Sequence, residues 1–348
     1  LGVGPWGSFF KIALPMALPA LITGISLMCM EVMNELGTVE LLNIPSISTG
    51  ITENWIIEGN PKSAIGLSLV ALLIVFTLII FEKFSRRKTK RWSENPASQY
   101  SQGWELRNQR ALFAIIASLF PPIFSIGIPC IWVVMNIDQV QKGLTMELLT
   151  LSIRTIGLGI IASLITIIFS LILSLAKRQN KNLFLKFITY PAGIGYAIPG
   201  TVLALSLITI STSKLNYIAI LFLIWGYVVR FLTISKGSID SGLERISPSI
   251  DEAANGLGSN WFVIIKNIHI PLLKGPIFVG SLLVFVDTIK ELPLTFILRP
   301  FDFDTLSVRI YQYAGDERMV EAIVPAIFIM ILGLIASSTL IPSLEKNS

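Results

Sequence analysis

The sequence predicts an all-α polytopic membrane protein with about eight transmembrane helices, and three observations carry that expectation. Only 14% of the 348 residues are charged and 53% are hydrophobic, at a mean hydropathy of +0.72, whereas a soluble chain is about a quarter charged. The apolar residues fall into runs of roughly 20, the length a helix needs to cross about 30 Å of hydrocarbon. Basic residues gather beside the ends of these runs, which accounts for the net charge of +5 without nucleic acid. Within lipid every backbone N–H and C=O needs a partner inside its own segment, so the runs are expected as helices.

In chain order the spans lie near residues 14–35, 62–82, 111–135, 148–176, 187–210, 217–235, 272–296 and 320–343. Between the second and third, residues 83–110 carry Lys83, Arg86, Arg87, Lys88, Lys90, Arg91, Arg107 and Arg110 against Glu94 and Glu105. The loop 177–186 holds Lys177, Arg178, Lys181 and Lys186 with no acid. Both loops are therefore expected in the cytoplasm. Alternation then places loop 236–271 and the C-terminus on the same side, and the comparatively acidic loops 36–61 and 297–319 outside. The fifth span is crowded at its start by Pro191, Gly193, Gly195, Pro199 and Gly200, which suits either a kinked helix lining a pathway or close packing through glycine. Arg230, near the cytoplasmic end of the sixth span, is expected to snorkel.

Cys29 and Cys130 both lie in apolar runs and define neither a disulfide framework nor a metal site. One histidine, His269, excludes a multi-histidine metal cluster. No G-x-x-x-x-G-K-[ST] loop is present, so the chain carries no phosphate-binding motif of its own.

Loop 236–271 holds the most specific pattern. It reads Glu252-Ala253-Ala254, then Gly258, then Ile268-His269-Ile270-Pro271, or E-A-A-x3-G-x9-I-x-I-P. Asp251 and Glu252 suit the first turn of a helix capped from Ser249, with Pro248 turning the chain before it. Small Ala253 and Ala254 admit a close partner surface, Gly258 permits a bend, and Pro271 stops the following segment. This spacing resembles the coupling loop of importer permeases of the ABC class, in which a short cytoplasmic helix docks into an ATP-hydrolysing subunit.

Part of the pattern recurs at Gly2, Ile12 and Pro15. Sliding the chain on itself by 256 residues superposes these on Gly258, Ile268 and Pro271, and without a gap matches Glu31 to Asp287, Glu35-Leu36 to Glu291-Leu292, Thr49 to Thr305 and Gly59 to Gly315. Two copies of one membrane unit are a common plan among transporters. The expected organisation is a C-terminal remnant of a first half at 1–82, a basic linker at 83–110, and a complete six-helix second half at 111–345 with its coupling loop at 244–271. The start at Leu1, with no signal peptide, fits a fragment of a polypeptide of roughly 500 residues, the length obtained by completing the repeat.

Asp287, Lys290 and Glu291 fall late in the seventh span, roughly 24–30 Å from Pro271 at 1.5 Å per residue. Two readings stand: a solvated helix end, or an outer gate where the two halves meet. The acidic matches Glu31 and Glu35 favour the gate, with Pro199 and Gly200 as further pathway candidates.

Five segments extend the resemblance over nearly the whole chain: E-V-M-N-E-L-G-T-V (31–39), Y-A-I-P-G-T-V-L-A (196–204), L-E-R-I-S-P-S-I-D-E-A-A (243–254), K-E-L-P-L-T-F-I-L-R-P-F (290–301) and F-D-T-L-S-V-R-I-Y-Q-Y-A (303–314). They resemble the fused, two-half permeases of binding-protein-dependent ferric-iron importers. The resemblance implies the type I (MetI-like) transmembrane fold in a bacterial inner membrane. It implies two ATP-binding subunits on the cytoplasmic face, a solute-binding protein on the outer face, ATP consumed by the partner subunits, and no cofactor or metal held by this chain. It departs from the family in lacking a first E-A-A. Related permeases for thiamine, polyamine, sulfate or molybdate share much of the pattern. From other classes stand an ion-driven carrier using Asp287 or Glu291, and a membrane enzyme, which would need a second catalytic group that the sequence does not offer.

Overall fold

A computed structural model describes residues 4–87, 106–179, 182, 189, 192, 194–210 and 215–339. Among these residues every regular element is helical. A short helix (Pro5–Ser8) and a π-turn (Phe9–Ala13) lead into α1 (Leu14–Asn34). Two short helices follow, α2 (Gly37–Leu41) and α3 (Ile47–Thr52), then α4 (Pro61–Arg87). The long apolar stretch α5 (Gln109–Met135) keeps its course through Pro121 and Pro122 by a π-turn at Ile123–Gly127, which absorbs the lost backbone hydrogen bonds.

Three helices then form the heart of the molecule: α6 (Met146–Gln179), α8 (Leu215–Glu244) and α10 (Lys274–Lys290). Between α6 and α8 runs the short α7 (Gly200–Ile210), and between α8 and α10 the amphipathic α9 (Pro248–Gly256). Two short helices, α11 (Pro293–Leu298) and α12 (Leu306–Gly315), precede α13 (Met319–Ser338). Leu158, Ala162, Leu223, Tyr227, Phe231 and Val284 fill the space between the three central helices. A second cluster towards α9 joins Ile167, Leu175, Ile239, Leu243 and Leu273. Val202 and Leu205 of α7 pack with Ile51, Ala64 and Ala71, so α7 is the surface on which α3 and α4 rest.

Among the described residues, five helices are long and apolar enough to cross a bilayer: α4, α5, α6, α8 and α13, with Trp261–Leu272 and α10 forming a sixth span if that pair, bent by 71°, is one. The chain is thus an all-α polytopic membrane protein. α1, at 21 residues, has the length expected of the first span. The expected span 187–210 differs: Thr189 is helical, but a 3₁₀ turn at Gly195–Ala197 and extended Ile198 interrupt the run before helix resumes at Gly200. Pro199 supplies no N–H to an earlier turn, which favours the interruption. Pro191, Gly193, Lys181 and Lys186 lie outside the described residues, as do Lys88, Lys90, Arg91, Glu94, Glu105 and Gly2. The expected span 272–296 is also interrupted. It bends at Leu273, where Pro276 has no N–H for the Leu272 carbonyl, and breaks again at Glu291.

The internal repeat is visible as geometry. The short helix and π-turn at Pro5–Ser8 and Phe9–Ala13 recur at Trp261–Ile264 and Ile265–His269 with the 256-residue spacing. Further on the spacing changes. The left-handed residues Asn43 (φ 52°) and Asp302 (φ 60°) correspond three residues beyond the 256 spacing, as do the helix caps Ser46 and Thr305, and the turns at Gly59 and Glu317 (φ 59° each) two residues beyond it. The ungapped matches of Thr49 to Thr305 and Gly59 to Gly315 are therefore corrected. A longer α11 and its following loop insert three residues into the second copy, and the cap of α12 falls opposite Ser46.

Candidate functional site

Both copies of the repeat break a helix in the same way. At Glu35 and Glu291 the backbone turns extended (ψ 126° and 122°), and Leu36 and Leu292 begin the next short helix. Such a break orphans the first N–H groups of the new helix. The glutamate itself satisfies one of them: Glu35 Oε1 accepts from Thr38 N at 2.8 Å and Glu291 Oε1 from Leu294 N at 3.1 Å. Its negative charge also suits the positive helix end. A serine hydroxyl then donates to the glutamate's own carbonyl, Ser48 to Glu35 at 2.6 Å and Ser307 to Glu291 at 2.9 Å.

The surroundings of the two glutamates differ. Glu35 is exposed, whereas Glu291 is 5% exposed and its Oε2 lies 3.6 Å from Nε of Arg230, itself 2% exposed. Arg230 Nη1 donates to the Ile198 carbonyl at 2.8 Å, and the guanidinium faces the rings of Tyr196 and Phe231. The expectation that Arg230 snorkels is thus corrected. It sits at the middle of α8 with carboxylate, carbonyl and aromatic partners inside the protein, so nothing draws its head to the interface.

The same place joins the two copies of the repeat. Asn34 Oδ1 of α1 accepts from the Gly200 backbone N–H at 2.7 Å, and Glu31 Oε2 from the Tyr196 hydroxyl at 2.8 Å. Lys290 bridges Asp287 (3.1 Å) and Glu31 (3.5 Å). Gly200 packs tightly here: a Cβ would stand 2.7 Å from Glu291 Oε1 and 3.1 Å from Asn34 Oδ1, so one of those side chains would have to move. Gly195 presses as closely on α8, where a Cβ would overlap the Val229 carbonyl. Of the two readings of the breaker stretch, close packing thus holds at Gly195, while Gly200 lies at the junction of charges.

Glu31, Asn34, Glu35, Lys290 and Glu291 line a cavity of about 470 Å³. It shares Gly37, Leu41, Tyr311 and Ala314 with a wider one of about 1010 Å³, lined by Arg299, Arg309, Tyr313 and Arg318. Tyr311 donates to Glu40 at 2.5 Å where the two cavities meet. This arrangement offers ion pairs that can open and close between two helix groups. Among the described residues it contains no group of histidine, cysteine and carboxylate side chains suited to hold a metal ion.

The second site is α9. Its cap is Ser247 rather than the expected Ser249, with Pro248 at the first helical position, where its fixed φ is pre-organised and no N–H is needed. Glu252 and Ala253 face outward, and Ala254 is buried. Gly258 follows with φ +79°, and Leu257 and Phe262 stand 87% and 82% exposed on either side of it. From beneath, Asp251 anchors the helix: Oδ2 meets Arg178 Nε at 2.6 Å and Oδ1 meets His269 Nε2 at 2.8 Å. Burial pushes the Asp251 carboxyl up, but Arg178 and then His269 outweigh it, leaving it below the usual carboxylate range. His269 is fully buried against the Trp261 ring.

Of the residues expected at the coupling loop, Ile268 is half-buried in the π-turn beyond α9 and Pro271 sits in the short helix Ile270–Leu272. Ile12 lies in the π-turn before α1 and Pro15 in the first turn of α1, and both are exposed. Arg230, Tyr196, Asn34 and the Arg178–Asp251–His269 chain were not singled out as functional from the sequence. A charge in mid-span was the available signal for Arg230; the others depend on contacts across the fold.

Broken helices, buried charges and repeated helix groups define a polytopic membrane protein built on an internal repeat. Residues 1–90 match the family described as binding-protein-dependent transport system inner membrane component. Over 331 residues the chain is 25% identical to the Fe(3+)-transport system permease protein FbpB 2 of Haemophilus influenzae, covering 92% of this chain and 65% of that protein. It therefore spans just under two thirds of that relative's length. The Ferric transport system permease protein FbpB of Actinobacillus pleuropneumoniae is 29% identical over 92 residues, 26% of this chain and 13% of that protein.

Proposed function

We propose that this chain is the membrane-embedded permease part of an ATP-driven importer for ferric iron, a transport subunit rather than an enzyme. The observation that carries the proposal is α9. This short helix and the segment just after it bare Glu252, Leu257 and Phe262 to a partner, while its underside is tied to the ends of membrane helices. Such a helix is suited to receive a push from an ATP-hydrolysing subunit, of which two would dock on the cytoplasmic face. ATP would be consumed there, and a solute-binding protein would deliver iron to the opposite face, above the cavity at Tyr311 and Arg309.

In this reading residues 1–82 and 111–345 belong to two halves joined by the basic linker, in a bacterial inner membrane with the C-terminus cytoplasmic. Glu31, Glu35, Asp287, Lys290 and Glu291, with Pro199 and Gly200, form the gate between them. The names of the similar proteins and the K-E-L-P and R-P-F segments support iron as the cargo.

The test reconstitutes the permease with its ATP-hydrolysing and binding-protein partners and follows uptake of radioactive ferric iron. Uptake should require ATP hydrolysis, survive a protonophore, and fall with loss of the bound ATPase subunits in Leu257→Asp. Uptake without ATP would indicate an ion-driven carrier, and uptake of thiamine in place of iron would reassign the cargo.

A further inference from the structure

The α9 segment is fastened to the membrane helices mainly through one side chain. Arg178 is the penultimate residue of α6 and spends its whole guanidinium on the connection. Nε meets Asp251 in α9 at 2.6 Å, Nη1 donates to the Leu243 carbonyl at 2.8 Å, and Nη2 donates to the carbonyls of Ile246 at 3.0 Å and Ser247 at 3.4 Å. Those carbonyls lie at and just beyond the C-terminal end of α8, where four groups lack helical partners and the dipole end is negative. The other oxygen of Asp251 continues the chain to His269, the last residue of the π-turn that leads through Ile270–Leu272 into α10. The ends of α6, α8 and α10, which pack together as the molecular core, are thereby joined to α9 at one point.

We propose that Arg178 is a positioning residue for energy coupling. Through Asp251 and His269 it makes α9 and the three core helices move as one body. The inference rests on the importer reading above, and it concerns how a push at α9 reaches the membrane rather than which partner delivers it. A looser joint would let α9 stay docked while the core helices lag behind. Apart from Ala254, α9 has no side chain of its own buried among apolar neighbours, so packing alone offers little to replace the joint. Lysine cannot substitute, because its donors radiate from one atom and cannot reach the carboxylate and three carbonyls together.

The experiment uses the assembled transporter with its ATPase subunits and iron-loaded binding protein. It compares wild type, Arg178→Lys, Asp251→Asn and His269→Gln. Three quantities are read: recovery of ATPase subunits with the permease, melting temperature, and iron taken up per ATP hydrolysed. The joint predicts that Arg178→Lys and Asp251→Asn keep near-normal assembly and melting while uptake per ATP falls about tenfold, with a smaller fall in His269→Gln. An unchanged ratio in a working complex overturns the proposal and leaves the importer reading intact. Parallel loss of assembly and melting in all three variants overturns it too, in favour of a merely structural role. A wild-type complex without ATP-dependent uptake overturns the importer reading and this inference with it.

Discussion

Replacing Arg230 with methionine tests the buried charge pair most directly. Arg230 and Glu291 are 2% and 5% exposed, so neither can turn to water when its partner is lost. After Arg230→Met the Glu291 carboxylate keeps the Leu294 N–H at 3.1 Å but loses the guanidinium at 3.6 Å. Breaking a buried pair in this way costs about 3–5 kcal/mol, because one charge stays behind uncompensated. The Ile198 carbonyl loses its 2.8 Å donor as well, adding about 1 kcal/mol. The double variant Arg230→Met/Glu291→Gln removes both charges, and the glutamine carbonyl can still accept from Leu294. It should therefore recover most of the loss, leaving about 1–2 kcal/mol for the Ile198 carbonyl and imperfect packing. Equilibrium unfolding in mixed micelles with rising denaturing detergent measures the series. The expected order is wild type, double variant, single variant. A single variant within about 0.5 kcal/mol of wild type, or a double variant weaker than the single, would refute the account of Arg230 as a compensated internal charge.

Two further outcomes follow from the same contacts. Gly200→Ala should lower stability by about 1–3 kcal/mol, since its Cβ would displace the Glu291 carboxylate or the Asn34 amide; Gly157→Ala, with open space around its Cβ, should be neutral or slightly stabilising in the same unfolding assay. The pH dependence of α9 follows from Asp251, whose folded-state carboxyl titrates below the ordinary range. Its contribution is complete above the usual carboxylate value of about 4 and lost as pH falls through the lower folded value. Hydrogen exchange over Pro248–Gly256 should therefore reveal no loss of Asp251 anchoring between pH 7 and 5, then loosen in stronger acid, and Asp251→Asn should abolish that acid step.

Much of the architecture was legible because lipid imposes long apolar runs, and such runs announce themselves. The lengths of α1, α4, α5, α6 and α13 followed from hydropathy, and the repeat followed from a handful of polar landmarks. Harder to read were the places where a helix stops within an apolar run. Within residues 272–296 the signals for the break at Glu291 were Pro293, the first residue of α11, and the nearby charges; neither reveals that the glutamate side chain caps the new helix. Residues 187–210 look continuous because the apolar run persists through Ile198 although the backbone there is extended. At the candidate site, the acids of the charge cluster stood out. Asn34 and Tyr196 act through a backbone N–H and a phenol hydroxyl across the fold, which one-dimensional spacing does not encode. Arg178 was visible only as one positive charge among several in its loop.

The two glutamate breaks also bear on how this chain tolerates change in length. Each is closed within itself: carboxylate to the following N–H, serine hydroxyl to the preceding carbonyl. Between those ties the second copy carries three more residues than the first, yet both ties keep their partners. Fidelity is held at fastening points and released in between, like a seam stitched at intervals. Residues correspond between the copies when they hold the same stitch, whatever their count along the chain. Insertions should collect in the slack between these ties and be refused at Glu35–Thr38 and Glu291–Leu294.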